Sequence, residues 1–172
     1  RDFDMRAGNV LRRHPFTVID DHGRLEGEAR RDVRIVILGD AIISAAGDPK
    51  GMGWVGRVTS KTPSSFPRID IFALPAPDET TSMLAERWQA EVQRRFSAET
   101  ENKLVIELIK HDPADGISIS RSRLNIATII DEAKRAGIES FLVGPTPHRN
   151  KELNGEVEHL ASGFEDVADR RG

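Results

Sequence analysis

Four apolar runs recur along the chain, at residues 34–38, 69–74, 104–109 and 140–143, and they alternate with segments of helical periodicity. Runs that are mostly apolar and do not alternate with polar residues predict strands buried on both faces, and strands separated by helices predict parallel pairing. The pattern therefore predicts an α/β fold in which the first strand is central. The strands are expected near 34–39, 69–74, 104–109 and 140–144, in one parallel sheet.

Two segments between the runs have the spacing of amphipathic helices. In the first, charged residues fill one face and apolar residues recur at steps of three and four, at Met83, Leu84, Trp88, Val92 and Phe96. The second covers residues 120–136 and is followed by Gly137, a typical C-terminal glycine. Its apolar positions are Leu124, Ile126, Ile129, Ile130 and Ala133. Both segments predict helices that pack one face on the sheet.

Residues 1–32 differ from the rest of the chain. They are rich in charged residues, and only the Phe-Thr-Val-Ile sequence at 16–19 is typical of a short strand. A chain of 172 residues suffices for one domain with a substantial core but not comfortably for two. We therefore predict a charged N-terminal extension at 1–32 and one α/β domain at 33–172.

Charge and composition narrow the classes of function. A net charge of −3 and a pI near 6.0 provide no broad basic surface for nucleic acid. No run approaches the ~18 apolar residues of a membrane span, and the N-terminus lacks an apolar signal core. The chain contains no cysteine, which fits a reducing compartment, so a soluble cytoplasmic protein is expected. The glycines at 47–56 match neither a P-loop nor a dinucleotide motif, and no cofactor is predicted.

Polar residues follow three of the predicted strands: Asp40 the first, Asp78 the second, and His111 and Asp112 the third. Ligands of open parallel sheets bind outside the carboxyl ends of the strands, so we expect these four side chains in one crevice. Mutual repulsion should then raise at least one aspartate pKa, unless a protonated His111 relieves it. Carboxylates and imidazole also suit a divalent cation, but the spacing fixes no ligand geometry and no metal is predicted.

Four segments in order resemble the SGNH, or GDSL-type, esterase and lipase superfamily. They are VILGDAIISAAGDPKGMGWVGRV, ALPAPDETTSMLAERWQAEVQRRF, KLVIELIKHDPADG and IIDEAKRAGIESFLVGPTPHRN, and the similarity covers roughly residues 33–172. The resemblance implies a flavodoxin-like three-layer α/β/α sandwich. It also implies a serine nucleophile after Gly-Asp, and an oxyanion hole formed by the serine amide, a glycine amide and an asparagine side chain.

The residues that the resemblance assigns to catalysis are largely replaced. Asp40 and Asp112 match acids of the family motifs, but Ala41 stands at the serine position, Asp78 at the glycine and His111 at the asparagine. The Asp-x-x-His element that supplies the family's base is expected beyond a further strand, and the sequence ends at Gly172 where that strand would begin. A carboxylate at 78 is expected to oppose an oxyanion.

Two serines and three histidines are further candidates for the missing nucleophile, base or ligand contact. Ser44 and Ser82 are more typical of capping or solvent-facing serines than of nucleophiles. His14 and His22 lack the spacing of an Asp-x-x-His base, and His148 could contact a ligand after the fourth strand. The leading hypothesis is therefore an inactive SGNH-like domain that binds a small acyl or ester ligand or a partner. The alternative is an active acyl-ester hydrolase with an engineered or unrecognised catalytic set.

Overall fold

Two sheets form within the residues described by the computed structural model, which are 17–19, 25–28, 31–62, 67–147 and 150–171. A short antiparallel ribbon pairs β1 (Thr17–Ile19) with β2 (Leu25–Glu28). The second sheet has four strands: β3 (Val33–Gly39), β4 (Ile69–Pro75), β5 (Glu101–Glu107) and β6 (Glu139–Val143). The strand at Thr17–Ile19 agrees with the pattern at 16–19, whereas the division of the chain at residue 32 stays a prediction.

The larger sheet has the order β4-β3-β5-β6, and every neighbouring pair is parallel. The prediction of one parallel sheet with the first core strand in its interior is confirmed. In chain order of the core strands this arrangement is 2-1-3-4, as in flavodoxin-like folds. The strand order reverses between β3 and β5, so a ligand crevice is expected outside the carboxyl ends of these two strands.

Four helices and one short 3₁₀ turn, Ala41–Ser44, accompany the larger sheet in the described part of the chain; the turn and the first three helices connect its strands, and the fourth helix follows β6. The helices are α1 (Gly53–Lys61), α2 (Thr81–Gln93), α3 (Ile119–Arg135) and α4 (Lys151–Arg171). The Thr80 hydroxyl caps α2 by accepting from the Met83 amide, and the Ser118 hydroxyl caps α3 by accepting from the Arg121 amide. No helix in the described residues is long and apolar enough to cross a membrane.

The apolar core lies on both faces of the sheet, as a three-layer α/β/α sandwich requires. One face of the strands packs against α2, α3 and α4, through residues that include Leu38, Trp88, Leu104, Ile129 and Phe164. The other face packs against the 3₁₀ turn and α1, through Ile37, Ile43 and Val55. Two residues of the predicted helical stripes differ, because Met83 and Leu124 are about half exposed, at 50% and 55%.

Candidate functional site

A crevice of about 450 Å³ lies at the carboxyl ends of the strands, where the strand order reverses. The 3₁₀ turn, the loop after β4, the loop after β5 and the loop after β6 each contribute to its lining. The lining residues are Asp40, Ala41, Ile42, Ala46, Pro77, Asp78, Lys110, His111, Thr146 and Pro147. The structure thus brings together Asp40, Ala41, Asp78 and His111, while the roles assigned to them stay predictions.

The carboxylate of Asp40 is the centre of the polar contacts in this crevice. Its Oδ1 accepts hydrogen bonds from the amides of Ala41, at 2.6 Å, and Asp78, at 3.3 Å. Its Oδ2 lies 3.1 Å from His111 Nε2 and 3.6 Å from Lys110 Nζ. Two backbone amides, an imidazole and an ammonium therefore converge on one side chain.

These contacts decide the charge of Asp40. Burial by itself would raise the pKa of Asp40, but the Ala41 amide, His111 and Lys110 together hold this pKa below its ordinary value. Because an ionised carboxylate only accepts hydrogen bonds, the facing Nε2 of His111 carries a proton. The pKa of Asp40 is thus not raised, because these three donor groups outweigh the effect of burial.

Asp78 has a left-handed backbone, with φ of 55°. Glycine adopts this conformation without cost, which is consistent with placing Asp78 at the glycine position of the resemblance. Its side chain is 90% exposed and its Oδ1 lies 3.7 Å from His111 Nε2. The backbone amide, which is the group the hole requires, still points into the crevice toward Asp40. The effect of the Asp78 carboxylate on an oxyanion stays a prediction.

A buried ion pair holds the loop that presents Asp78. Glu79 is fully buried and pairs with Arg87 of α2, whose Nη2 donates to Glu79 Oε2 at 2.9 Å and to the Leu74 carbonyl at 3.1 Å. At the other end of the loop, the Ala76 amide donates to the Gly39 carbonyl at 2.9 Å. The loop is thereby tied to α2 and to the end of β3, which fixes the direction of the Asp78 amide.

Asp112 does not face the crevice, and the expectation that it would is wrong. It is fully buried, and it accepts hydrogen bonds from the Thr81 amide at 2.8 Å and the Thr81 hydroxyl at 2.6 Å. The Ser122 hydroxyl of α3 donates to Asp112 Oδ2, the oxygen that also accepts from the Thr81 hydroxyl. Thr81 begins α2, so Asp112 satisfies a free amide at a helix N-terminus and joins α2 to α3. Because Asp112 directly follows His111, these hydrogen bonds also hold the loop that carries His111.

The remaining sequence candidates have separate outcomes. The Ser44 hydroxyl donates to the Ala41 carbonyl at 2.7 Å, and the Ser82 hydroxyl accepts from Asn125 Nδ2 at 3.1 Å. His14, His22 and His148 lie outside the described residues. Within the described ranges no group of three or more His, Cys, Asp or Glu is arranged to hold a metal ion.

Two charged residues of the site were missed by sequence reasoning. Lys110 lines the crevice and donates to Thr146 Oγ1 at 3.1 Å. Glu107 ends β5 and is only 3% exposed. Burial, with the nearby charge of Asp40, raises the pKa of Glu107 to about 7, against the opposing effect of Lys110. An acid inside the apolar run at 104–109 was the signal that could have identified Glu107.

Comparison with known proteins places this geometry in a structural class. No protein-family model and no curated protein matches the sequence. Among solved structures, the chain is similar to the psychrotrophic esterase EstA from Pseudoalteromonas sp., with 20% identity over 80% of this chain and 73% of that chain and a TM-score of 0.61. The acetylxylan esterase Axe2 from Geobacillus stearothermophilus is 14% identical over 83% and 74%, with a TM-score of 0.66.

A third similar structure is named by its fold family. It is AlinE4, an SGNH-hydrolase family esterase, which is 21% identical over 85% of this chain and 74% of that chain, with a TM-score of 0.62. At these identities the likeness concerns the fold. Together with the 2-1-3-4 strand order and the crevice at its switch point, it shows that the chain has an SGNH hydrolase-like α/β fold.

Proposed function

We propose that this domain retains the ligand crevice of the SGNH hydrolase-like fold as a binding site and does not hydrolyse esters. The observation that supports the proposal most directly is Ala41, which follows Gly39-Asp40 at the tip of β3 and lines the crevice. Covalent acyl transfer needs a nucleophilic atom and a base that activates it. A methyl group at this position supplies neither the atom nor a proton to remove.

The hydrogen-bond donors of the crevice support the same proposal. The amides of Ala41 and Asp78 both donate to Asp40 Oδ1, so an incoming oxyanion would compete with a resident carboxylate for them. Loss of one oxyanion-hole donor typically lowers the rate by ~10²–10³. His111 replaces the amide side chain of the third donor, and it is the one imidazole among the described lining residues. Its Nε2 is engaged by Asp40.

The shape and lining of the crevice support a small acyl or ester ligand. Its volume of about 450 Å³ lies within the ~300–1,000 Å³ typical of small-molecule sites. Half of its lining is apolar, from Ala41, Ile42, Ala46, Pro77 and Pro147. Because similar structures include esterases, we propose that the crevice binds a small acyl or ester ligand without hydrolysing it.

Binding without turnover is the first prediction. Ethyl butyrate should shift the NMR signals of the Ala41 and Ile42 methyl groups, because both residues line the crevice. In the same sample the ester should be hydrolysed no faster than in buffer without protein. The methyl groups of Leu142 and Ala161, which line a separate pocket of about 220 Å³ beside α4, serve as the internal control and should not move.

Either half of that result can contradict the proposal. Release of butyrate and ethanol above the blank, or a trapped acyl group on any serine, would favour the active hydrolase instead. Intact ester with no shift at Ala41 or Ile42 would show that the crevice does not bind this ligand class.

Restoring the nucleophile alone should leave the protein inactive, which is the second prediction. A serine hydroxyl in Ala41→Ser is a weak nucleophile unless a base removes its proton, and the nearest described imidazole already faces Asp40. The measurement is hydrolysis of p-nitrophenyl butyrate by Ala41→Ser beside the parent protein.

The variant Ala41→Ser with Asp78→Gly and His111→Asn is the matched comparison, since it also restores the glycine and asparagine that the resemblance assigns to the oxyanion hole. Turnover near ~10 s⁻¹ in the single variant would mean that a base has been overlooked, with His14 and His22 examined first.

A further inference from the structure

Glu107 is a buried acid with an unsatisfied oxygen beside the crevice. Its side chain is 3% exposed, and its Oε2 has no hydrogen-bond partner among the described residues. It reaches this position because Gly39 on the neighbouring strand has no side chain. A Cβ at residue 39 would lie 2.7 Å from Glu107 Cβ and 3.0 Å from Oε2. The end of β3 is therefore shaped to admit the carboxyl group of Glu107 next to Asp40.

Two charges of opposite sign act on Glu107 in the described part of the chain. Asp40 follows Gly39 on β3, and its negative charge disfavours ionisation of Glu107, while Lys110, three residues beyond Glu107, favours it. Lys110 Nζ is also 3.6 Å from Asp40 Oδ2 and hydrogen-bonded to Thr146 Oγ1. His111 joins the group through Asp40. Lys110 thus pairs with Asp40, and its charge also acts on Glu107.

We propose that Glu107 is a proton-binding positioning residue of the crevice, which determines how strongly Lys110 pairs with Asp40. As a neutral acid, Glu107 leaves Lys110 to Asp40 and Thr146, the arrangement that the structure shows. As a carboxylate, it competes with Asp40 for the same ammonium and adds a second negative charge under the crevice. Burial makes this competition strong, because charges interact more strongly in a protein interior than in water.

The consequence follows from the position of these groups. Asp40 holds the two amides that face the crevice, so a weaker Lys110–Asp40 pair changes the field at the point where a ligand would bind. Any effect on ligand affinity rests on the proposed binding function. The titration is measured without ligand. A negative titration result would therefore contradict the role of Glu107 without bearing on whether the crevice binds esters.

The experiment is an NMR titration of the side-chain carbons of Glu107, Asp40 and Lys110 over a pH range that includes both the ordinary Glu value of 4.5 and the value of about 7 for Glu107. Glu107 Cδ should titrate near 7, and Asp40 Cγ and Lys110 Cε should show an inflection at the same pH. Glu107→Gln should abolish the inflection at both neighbours. Glu101→Gln, which removes an exposed acid from the same strand, should retain it.

Two results would overturn the proposal. One is titration of Glu107 near its ordinary value of 4.5, which needs no variant to detect. The other is an inflection at Asp40 and Lys110 that survives in Glu107→Gln, because the titrating group would then be a residue other than Glu107. A purely structural role for Glu107 would not produce a shared midpoint at three side chains.

Discussion

Replacing Asp112 with alanine should lower the free energy of unfolding by roughly 3 kcal/mol. The change removes the acceptor for the Thr81 amide, the Thr81 hydroxyl and the Ser122 hydroxyl, all within a fully buried cluster. Hydrogen bonds to charged groups contribute about 1.5–3 kcal/mol each, and a buried donor left unpaired costs about 1–3 kcal/mol. The sum is reduced because alanine also removes the cost of burying a carboxylate.

Denaturant unfolding measures this effect, with Asp115→Ala as the matched control. Asp115 is in the same loop and is exposed, so its loss should change stability by no more than about 0.5 kcal/mol. Ser122→Ala, which removes only one donor, should fall between the two. A loss for Asp112→Ala as small as that of the Asp115 control would mean that this network does not join α2 to α3.

The strands were predictable because the apolar runs reflect burial on both faces of a parallel sheet. The third strand shows the limit of that reasoning. It was predicted at 104–109 and is observed at Glu101–Glu107. Its first three residues are polar, and backbone pairing with β3 includes them regardless of side chain. Leu108 and Ile109 are buried in the core but follow the strand. Side-chain burial and backbone pairing in the sheet are separate properties, and the pattern of apolar residues indicates burial but not pairing.

The crevice was only partly predictable from strand ends. Topology brings Asp40, Ala41, Asp78 and His111 to one edge, and strand order suffices to infer this. It does not determine which way adjacent side chains point. His111 and Asp112 are neighbours in sequence, yet one lines the crevice and the other is buried against α2 and α3. The direction of Asp112 depends on donors at Thr81 and Ser122, which are distant in sequence.

The electrostatics of the site were the least predictable part. The sequence led us to expect either a raised pKa among the aspartates or relief of their repulsion by a protonated His111. The pKa of Asp40 is lowered, with His111 among the causes, and the raised pKa belongs to Glu107. The lowered pKa of Asp40 depends on a backbone hydrogen bond that has no sequence signature, and the raised pKa of Glu107 depends on a depth of burial that its place in an apolar run indicates only in outline. Gly39 illustrates the point, since its missing side chain is what admits Glu107.

Replacing Glu107 with glutamine should stabilise the protein at pH 8 by roughly 2–3 kcal/mol and leave its stability near pH 4 almost unchanged. The pKa of Glu107 is raised from 4.5 to about 7 in the folded protein, so the folded state binds this proton more tightly than the unfolded chain. Below pH 4.5 Glu107 is protonated in both the folded and the unfolded protein, so its ionisation does not reduce the free energy of unfolding. Between 4.5 and about 7 only the unfolded chain releases the proton, and folding stability falls as pH rises. Above about pH 7 Glu107 is ionised in both states, and the folded protein keeps the full destabilisation.

The size of the effect follows from the same two values. One pKa unit corresponds to ~1.36 kcal/mol, and the two pKa values of 4.5 and about 7 differ by about 2.5, which sets an upper limit of about 3.4 kcal/mol. Denaturant unfolding of the parent, Glu107→Gln and Glu101→Gln at several pH values measures it. The difference between parent and Glu107→Gln should grow from about pH 4.5 and level off above about pH 7, and Glu101→Gln should follow the parent. A constant difference at all pH values would show that glutamine merely packs better and that Glu107 ionises normally, because only a proton held by the folded state makes the gain depend on pH.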